Sequence, residues 1–170
     1  MFDEPIRTEI RGGLEFRYGV RPADRERVRE IVASTGFFNP AEVDIAVELV
    51  DERLAKGAAS GYHFVFAGSP EQVQGYACYG PIAGTAESFD LYWIVVHNQS
   101  RGRGLGRVLM QESERLIAEM GGHRVYVETS SREHYLPTRA FYDRCGYRVE
   151  AIIKDFYAPG DDKVILLKVV

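Results

Sequence analysis

The chain has 170 residues, 45% hydrophobic and 27% charged, which is the composition of an ordinary soluble globular protein. This composition excludes a disordered chain, a collagen-like repeat and a coiled coil, and the length predicts a single domain over residues 1–170. The net charge of −4 argues against nucleic acid as the main partner, and the longest apolar run, residues 91–96, is too short to cross a membrane.

Residues 1–13 contain no apolar core segment, so we expect a flexible or edge-pairing N-terminal segment rather than a secretory signal. Cys78 and Cys145 are far apart and form no CxxC pair, which favours reduced thiols and a cytoplasmic location. The four histidines lack the spacing of metal ligands, so no metal site is expected.

The first half of the chain begins with an alternating apolar pattern over residues 14–20, which predicts a strand. A helix follows and ends before Gly36. A second helix is announced by Asn39 as N-cap, Pro40 at the first helical position and Glu42 in a capping box, and Gly57 ends it. Residues 62–67 and 73–79 predict two strands of a hairpin around residues 68–71.

The second half of the chain begins with residues 89–96, whose consecutive bulky side chains predict a central strand buried on both faces. A glycine-rich turn leads into a helix with an apolar stripe comprising Leu105, Val108, Leu109, Leu116 and Met120. A strand over 123–129, a helix over 136–144 and a hairpin formed by 147–156 and 163–170 complete the chain. This order predicts an α/β (α+β) protein, a mixed sheet with helices on its faces.

The glycine-rich turn over residues 101–107 (RGRGLGR) joins a strand to a helix, and that arrangement suits an anion such as phosphate. A P-loop is excluded because no Gly-Lys-Ser/Thr ends the turn, and the dinucleotide fingerprint fails at Arg107. A plain connecting turn remains the alternative.

The pattern Arg101-x-x-Gly104-x-Gly106 resembles the Q/R-x-x-G-x-G/A signature of the GNAT superfamily of N-acetyltransferases. Residues 138–147, with Phe141-Tyr142 followed by Gly146-Tyr147, resemble a later motif of that family, and the resemblance extends over residues 20–170. It implies a GNAT-like mixed, mostly antiparallel sheet of about seven strands flanked by about four helices, with acetyl-CoA as the cosubstrate.

The resemblance also implies roles for individual residues. The strand backbone at Ile94, Val95 and Val96 would pair with the pantetheine arm, and Tyr142 would protonate the departing thiolate. The family's asparagine seven residues before this tyrosine is Tyr135 here, so Thr138 or a backbone group would take over its contact. The pyrophosphate would be held by Arg101, Gly102, Arg103, Gly104, Leu105, Gly106 and Arg107. Core packing remains the alternative role for Tyr142.

An amine acceptor arrives protonated, because its pKa is about 10.4, so a base must take the proton. Asp90 is the first candidate, Glu128 on the neighbouring strand the second and Glu87 the third, and ordered water alone is a further alternative. The resemblance also implies that the acceptor is bordered by two loops, which here contain Phe37 and Phe38 in one and Tyr157 and Asp161 in the other, and such aromatic and acidic walls suit a cationic amine.

The sequence therefore predicts an enzyme that moves an acetyl group from acetyl-CoA to a primary amine by direct attack, without a metal. The acceptor would be a small molecule or a peptide, and a homodimer is left open because dimers are common in the resembled family. The alternative is a non-catalytic acyl-CoA-binding or regulatory domain that keeps the phosphate turn.

Overall fold

The computed structural model describes residues 6–69 and 71–170, so residues 1–5 of the predicted N-terminal segment and Pro70 of the predicted hairpin turn lie outside the described residues. The described part contains eight strands and four α-helices. In chain order they are β1 Arg7–Arg11, β2 Leu14–Tyr18, α1 Asp24–Ser34, α2 Pro40–Lys56, β3 His63–Ser69, β4 Gln72–Pro81, β5 Ser88–Val96, α3 Leu105–Glu119, β6 Arg124–Ser130, α4 Leu136–Arg144, β7 Arg148–Ala158 and β8 Asp161–Val169.

The chain forms two compact units, and β5 and α3 each contribute residues to both. The first unit comprises the described residues up to Gly80 together with Trp93–Ser113. The second unit comprises Pro81–Tyr92 and Glu114–Val170. Along the chain of paired strands the order is β1-β2-β3-β4-β5-β6-β8-β7, which confirms the predicted mixed α/β class.

In the first unit, β1 to β4 form an antiparallel succession in which each strand pairs with the next. Gly75 of β4 lies against β5, since a Cβ there would stand 2.9 Å from the carbonyl oxygen of Val95. The core of this unit lies between the strands and the apolar faces of α1 and α2. Its buried members are Val28, Ile31, Val32, Val43, Ala46, Val47, Val50, Phe64, Phe66, Tyr76, Cys78 and Val95.

In the second unit, β5 and β6 are parallel, and their register runs from Ser88 opposite Arg124 to Asp90 opposite Tyr126. β6 pairs antiparallel with β8 along its whole length, and β8 pairs antiparallel with β7. The register between β7 and β8 shifts twice, the second time between Ile153 and Ala158. These pairings bring residues 124–130 next to residues 163–169, which positions several of the predicted site residues.

The start of α2 follows its local sequence signals closely. The Asn39 side chain accepts a hydrogen bond from the Glu42 N–H at 3.0 Å, and the Glu42 carboxylate accepts one from the Asn39 N–H at 2.8 Å. Pro40 occupies the first turn, where its missing N–H costs nothing. The predicted capping box is confirmed, and so is Gly36 just beyond α1, with a φ of +62°.

The prediction that β5 is buried on both faces is wrong. Phe89, Leu91 and Val95 are buried, whereas Tyr92 is 39% exposed. Successive strand side chains point to opposite faces, and the Tyr92 face is only partly covered. In α3, which ends at Glu119, the fully buried apolar positions include Leu109 and Ile117, and Met120 just beyond the helix is exposed.

The N-terminus of α1 is attached to β2 by a buried ion pair. The Arg17 guanidinium contacts both carboxylate oxygens of Asp24, at 2.9 and 2.6 Å, and both side chains are about 6% exposed. The Arg17 guanidinium also lies 4.2 Å from the centroid of the Phe66 ring and donates to the Gly19 carbonyl. Asp24 accepts a further hydrogen bond from the Arg21 N–H, so its carboxylate contacts both β2 and the segment that leads into α1.

The two cysteines have different surroundings. Cys78 of β4 is fully buried in the core of the first unit, and burial raises the pKa of its thiol well above the ordinary value. Cys145 follows α4 and is partly exposed. None of the helices in the described part of the chain is both long enough and apolar enough to cross a membrane.

Candidate active site

The turn between β5 and α3 has the backbone that an anion site requires. Gly102 and Gly104 have φ angles of +75° and +81°, which L side chains rarely adopt. A Cβ on either glycine would meet nothing within 4 Å, so the space above the turn is open. α3 begins directly afterwards at Leu105, and the first N–H groups of a helix have no partner inside the helix.

Three arginines add positive charge to this turn. Arg101, Arg103 and Arg107 are all exposed, and within the described residues their guanidinium groups make no hydrogen bond or ion pair. Free guanidinium groups beside unpaired helix amides favour an anion with several oxygens, such as a phosphate. The turn therefore fits the pyrophosphate role that the sequence predicted for residues 101–107.

The end of β5 leads into this turn. Val95 is buried, whereas Ile94 and Val96 are partly exposed on the other face of the strand. The His97 N–H donates to the Gln74 carbonyl at 2.8 Å, which continues the attachment of this segment to β4. All three predicted pantetheine-binding residues thus lie on regular strand backbone immediately before the turn.

Tyr142 lies on α4 and is 8% exposed. Its ring packs edge-on against Tyr147 at 5.7 Å and against Phe141 at 5.5 Å. Burial raises the pKa of the Tyr142 hydroxyl well above its ordinary value, so the group keeps its proton at neutral pH. Among the described residues this hydroxyl has no hydrogen-bond partner, and Thr138 is partly buried one turn earlier on the same helix.

Tyr147 and its contacts are features that the sequence analysis missed. Its N–H donates to the Tyr142 carbonyl at 3.0 Å, and its ring is fully buried. Burial first, and then the charge and hydrogen bonding of Glu114, raise the pKa of the Tyr147 hydroxyl. Lys168 contacts one Glu114 oxygen at 2.6 Å, and the other oxygen is buried without a hydrogen-bond partner among the residues that the structure describes. The Gly-Tyr end of the later motif was the available signal.

Asp90, the first candidate base, is the third residue of β5 and is partly buried. Within the described part of the chain its carboxylate has neither a hydrogen-bond partner nor an ion-pair partner. Burial raises the pKa of this carboxyl, the charge of Glu128 raises it further, and Lys163 opposes the rise. A carboxylate with a raised pKa is a better proton acceptor than an ordinary aspartate.

Glu128, the second candidate, is directed toward solvent and is 46% exposed, the outcome that its strand position had left open. Its carboxylate contacts the Lys163 ammonium at 2.7 Å, and that ammonium lies 3.8 Å from the centroid of the Phe156 ring. The β6–β8 pairing positions Lys163 opposite Ser130, next to Glu128. Glu87, the third candidate, is exposed before β5 begins.

The predicted acceptor residues have different surroundings. The Phe38 ring packs on the Trp93 ring at 5.0 Å beside the core of the first unit, and the Phe37 ring lies edge-on to the Phe38 ring. In the second unit Tyr157 is 48% exposed. Asp161 is buried, accepts a hydrogen bond from the Ser130 hydroxyl and contacts Arg132 at 2.9 Å.

Metal ligation has no candidate in the structure: within residues 6–69 and 71–170, no three His, Cys, Asp or Glu side chains form a group that could hold a metal ion.

Comparison with known proteins gives one family and several solved structures. The model of the acetyltransferase (GNAT) family matches residues 26–147. A protein of the GNAT family from Desulfovibrio desulfuricans is 49% identical over 92% of this chain and 98% of its own, with a TM-score of 0.90. No curated protein matches the sequence.

Two more distant structures share the fold. One is the PaiA N-acetyltransferase from Thermoplasma acidophilum in complex with coenzyme A, which is 16% identical over 92% of this chain and 99% of its own, with a TM-score of 0.71. The other is the aminoglycoside 6'-N-acetyltransferase from Enterococcus faecium, which is 17% identical over 98% of this chain and 97% of its own, with a TM-score of 0.70.

Proposed function

Because the chain belongs to the GNAT family of acetyltransferases, we propose that it transfers an acetyl group from acetyl-CoA to a primary amine by direct attack. Acetyl-CoA is the cosubstrate. The observation that carries the proposal is the turn before α3, where three unpaired arginines surround two glycines with positive φ and a helix N-terminus. This turn is the part of the chain suited to a pyrophosphate.

In the proposed complex, the backbone amides of residues 101–107 bind the pyrophosphate, and the backbone of Ile94, Val95 and Val96 pairs with the amides of the pantetheine arm. A strand backbone offers donors and acceptors at a regular spacing, so an extended amide chain can pair with it as an added strand does. Thr138 takes the contact that an asparagine makes in other family members.

Asp90 is the proposed base. An amine with a pKa of about 10.4 is protonated at neutral pH and has no free electron pair for attack. Asp90 has no cationic partner within residues 6–69 and 71–170, and its raised pKa makes it a suitable acceptor for that proton. Glu128 is the alternative base and ordered water the other, although the Glu128 carboxylate is already paired with Lys163.

The transfer then proceeds in two bond changes. The free amine nitrogen attacks the thioester carbon, a C–N bond forms and the carbonyl electron pair moves to oxygen. When that pair returns, the C–S bond breaks and the thiolate takes the proton of the Tyr142 hydroxyl, while the amide nitrogen loses its second proton to solvent. Tyr142 regains a proton from solvent, and its raised pKa keeps it protonated between turnovers.

Phe37, Phe38 and Tyr157 are proposed to border the acceptor, a small molecule or a peptide, and Asp161 to support it through its contacts with Ser130 and Arg132. The single domain over residues 1–170 and the cytoplasmic location also remain proposals. The cytoplasmic location is supported by Cys78 and Cys145, which are not joined in a disulfide.

Tyr142→Phe tests the proposal, since it keeps the ring packing and removes only the hydroxyl. We expect kcat to fall about 10- to 1,000-fold, while the affinity for acetyl-CoA and the Tm stay near those of the unchanged protein. Thiol release from acetyl-CoA across a panel of amines supplies the rate, and calorimetry supplies the affinity. If acetyl-CoA binds but no amine releases thiol, the rival function of a non-catalytic acyl-CoA-binding domain is correct.

A further inference from the structure

Three carboxylates near the hairpin of β7 and β8 are neutralised by cations of the protein, and that of Asp155 accepts a hydrogen bond from the Gly160 N–H. Glu128 contacts Lys163 at 2.7 Å, Asp161 contacts Arg132 at 2.9 Å, and Asp162 contacts Lys154 at 2.7 Å. The sequence alone suggested the opposite, an acidic wall that would attract cations. Each of these ion pairs neutralises its negative charge internally and presents little net charge to a ligand.

Asp90 on β5 differs from the three paired carboxylates. In the part of the chain that the structure describes, its carboxylate has no cationic partner and no hydrogen bond. Asp90 lies opposite Tyr126 of β6, two residues before Glu128, and the charges of Glu128 and Lys163 both influence its protonation. One uncompensated carboxylate at this position matches one cationic nitrogen on an acceptor.

Lys163 neutralises the Glu128 carboxylate. Its side chain is only 14% exposed, its ammonium contacts Glu128, and the Phe156 ring lies 3.8 Å from it. Since these partners hold the ammonium in place, a second cationic group of an acceptor would find no free carboxylate at this pair. A neutral pair attracts a polycation less than a free carboxylate does.

The rest of this surface is aromatic. Phe156 and Tyr157 are 50% and 48% exposed, and their rings lie edge-on at 5.0 Å. The Phe156 ring also lies 3.8 Å from the Lys163 ammonium, so both rings belong to the same group of residues, and burial, followed by the charge of Glu128, raises the pKa of Tyr157. Exposed ring surface favours an apolar group close to the amine nitrogen.

We infer that the acceptor is a monoamine, with a single cationic nitrogen next to an apolar or aromatic group, and that Lys163 disfavours polycations such as polyamines and aminoglycosides. The inference rests on the proposed function, because it assumes that the amine approaches Asp90. It goes beyond that function by assigning a substrate class and a residue that determines specificity.

The test compares kcat/KM for phenethylamine and spermidine, measured by thiol release from acetyl-CoA at one pH and ionic strength. We expect phenethylamine to exceed spermidine by at least about tenfold, a factor that corresponds to a modest difference in binding free energy. Equal rates, or faster acetylation of spermidine, would overturn the inference while leaving the proposed transfer intact. If neither amine nor any other in the panel releases thiol from bound acetyl-CoA, the proposed transfer itself fails.

Lys163→Met isolates the residue. It removes the fixed charge and frees Glu128, so the preference for phenethylamine over spermidine should shrink about tenfold. Arg148→Met is the matched control, because it breaks an exposed ion pair with Asp143 in the same unit and should leave the ratio unchanged. An unchanged ratio in folded Lys163→Met would remove the specificity role.

If Lys163→Met does not fold, Glu128→Gln answers the same question. This variant keeps the Lys163 charge and removes its partner, so the preference for phenethylamine should increase. A decreased preference would contradict the inference. Thermal unfolding identifies the variants that are folded.

Discussion

The ion pair between Arg17 and Asp24 provides a sharp test of how the first unit is held together. Asp24→Asn keeps the shape of the side chain and removes its charge. The Arg17 guanidinium would then keep only the Gly19 carbonyl at 2.9 Å and the Phe66 ring at 4.2 Å as compensation. Breaking a buried ion pair on one side costs about 3–5 kcal/mol, because the remaining charge stays away from water.

The expected loss lies near the lower end of that range, about 3 kcal/mol, because the side-chain oxygen of the introduced asparagine can still accept a hydrogen bond from the Arg21 N–H. For a chain of this size each kcal/mol lowers the Tm by about 2–4 °C, so the Tm should fall by about 6–12 °C. Calorimetry gives the Tm, and urea unfolding gives the free energy of unfolding independently.

Asp44→Asn is the matched control. Arg29 and Asp44 form an ion pair of similar length, 2.8 Å, but their side chains are 45% and 59% exposed. Exposed pairs contribute about 0–1 kcal/mol, so this variant should lose little stability. The reasoning is refuted if the two variants lose the same free energy of unfolding. It is supported further if Arg17→Met combined with Asp24→Leu recovers most of the stability, as replacement of a whole buried pair often does.

Three further predictions concern the turn, the base and the packing of α3. Gly104→Val, at φ +81°, should weaken acetyl-CoA binding at least about tenfold in calorimetry. Gly84→Val, at φ +78° in another open loop, is the control and should leave the affinity unchanged; if the two variants bind acetyl-CoA equally well, the turn is not part of the binding site. Glu128→Gln removes a charge that raises the Asp90 pKa, so the acid limb of the profile of kcat/KM against pH should move to lower pH. A shift of that limb to higher pH would exclude Asp90 as the titrating base. Gly122→Ala would place a Cβ too close to an Ile117 methyl carbon and 2.6 Å from the Phe89 ring, so the free energy of unfolding in urea should fall by about 1–3 kcal/mol. An unchanged free energy would contradict this expectation and mean that the neighbouring side chains can move aside at little cost.

The elements with strong local signals were predictable from the sequence. The N-terminus of α2 depends on three residues within one turn, Asn39, Pro40 and Glu42, and each occupies its expected position. The segment before β2 was expected to be flexible or edge-pairing, and its residues 7–11 show the second alternative, because they form β1 and pair with β2 at the end of the strand order. Gly12 and Gly13 form a two-residue connection between Arg11 and Leu14 with φ angles of +59° and +79°. A Gly-Gly pair between two strands is a recognised hairpin signal, but the preceding segment RTEIR contains a single bulky apolar residue and so shows little alternation.

The candidate site also has one part that local sequence patterns predict and another part that they do not. The turn over residues 101–107 is local, so glycine spacing and a helix start were enough to identify it as an anion site. The contacts of Glu128 and Asp161 depend on the pairing of β6 with β8, which joins residues more than thirty positions apart. Pairing partners at that separation are set by the register of the strands, which no local pattern specifies. Asp161 therefore looked like a free surface acid, whereas it is buried and bonded.

Chemical labelling of the Cys78 thiol can measure the opening of the core of the first unit. Only the thiolate reacts with an alkylating reagent, and burial both covers this sulfur and holds its proton on. Modification of Cys78 must therefore wait until the core of the first unit opens, while the partly exposed Cys145 can react from the folded state. The slow phase of thiol labelling thus times the spontaneous opening of that core in plain buffer, without denaturant or an introduced probe. Saturating acetyl-CoA should slow the labelling of Cys78 by the same factor by which it stabilises the closed form of the unit. The labelling rate of this buried residue then reports ligand binding in the unmodified chain.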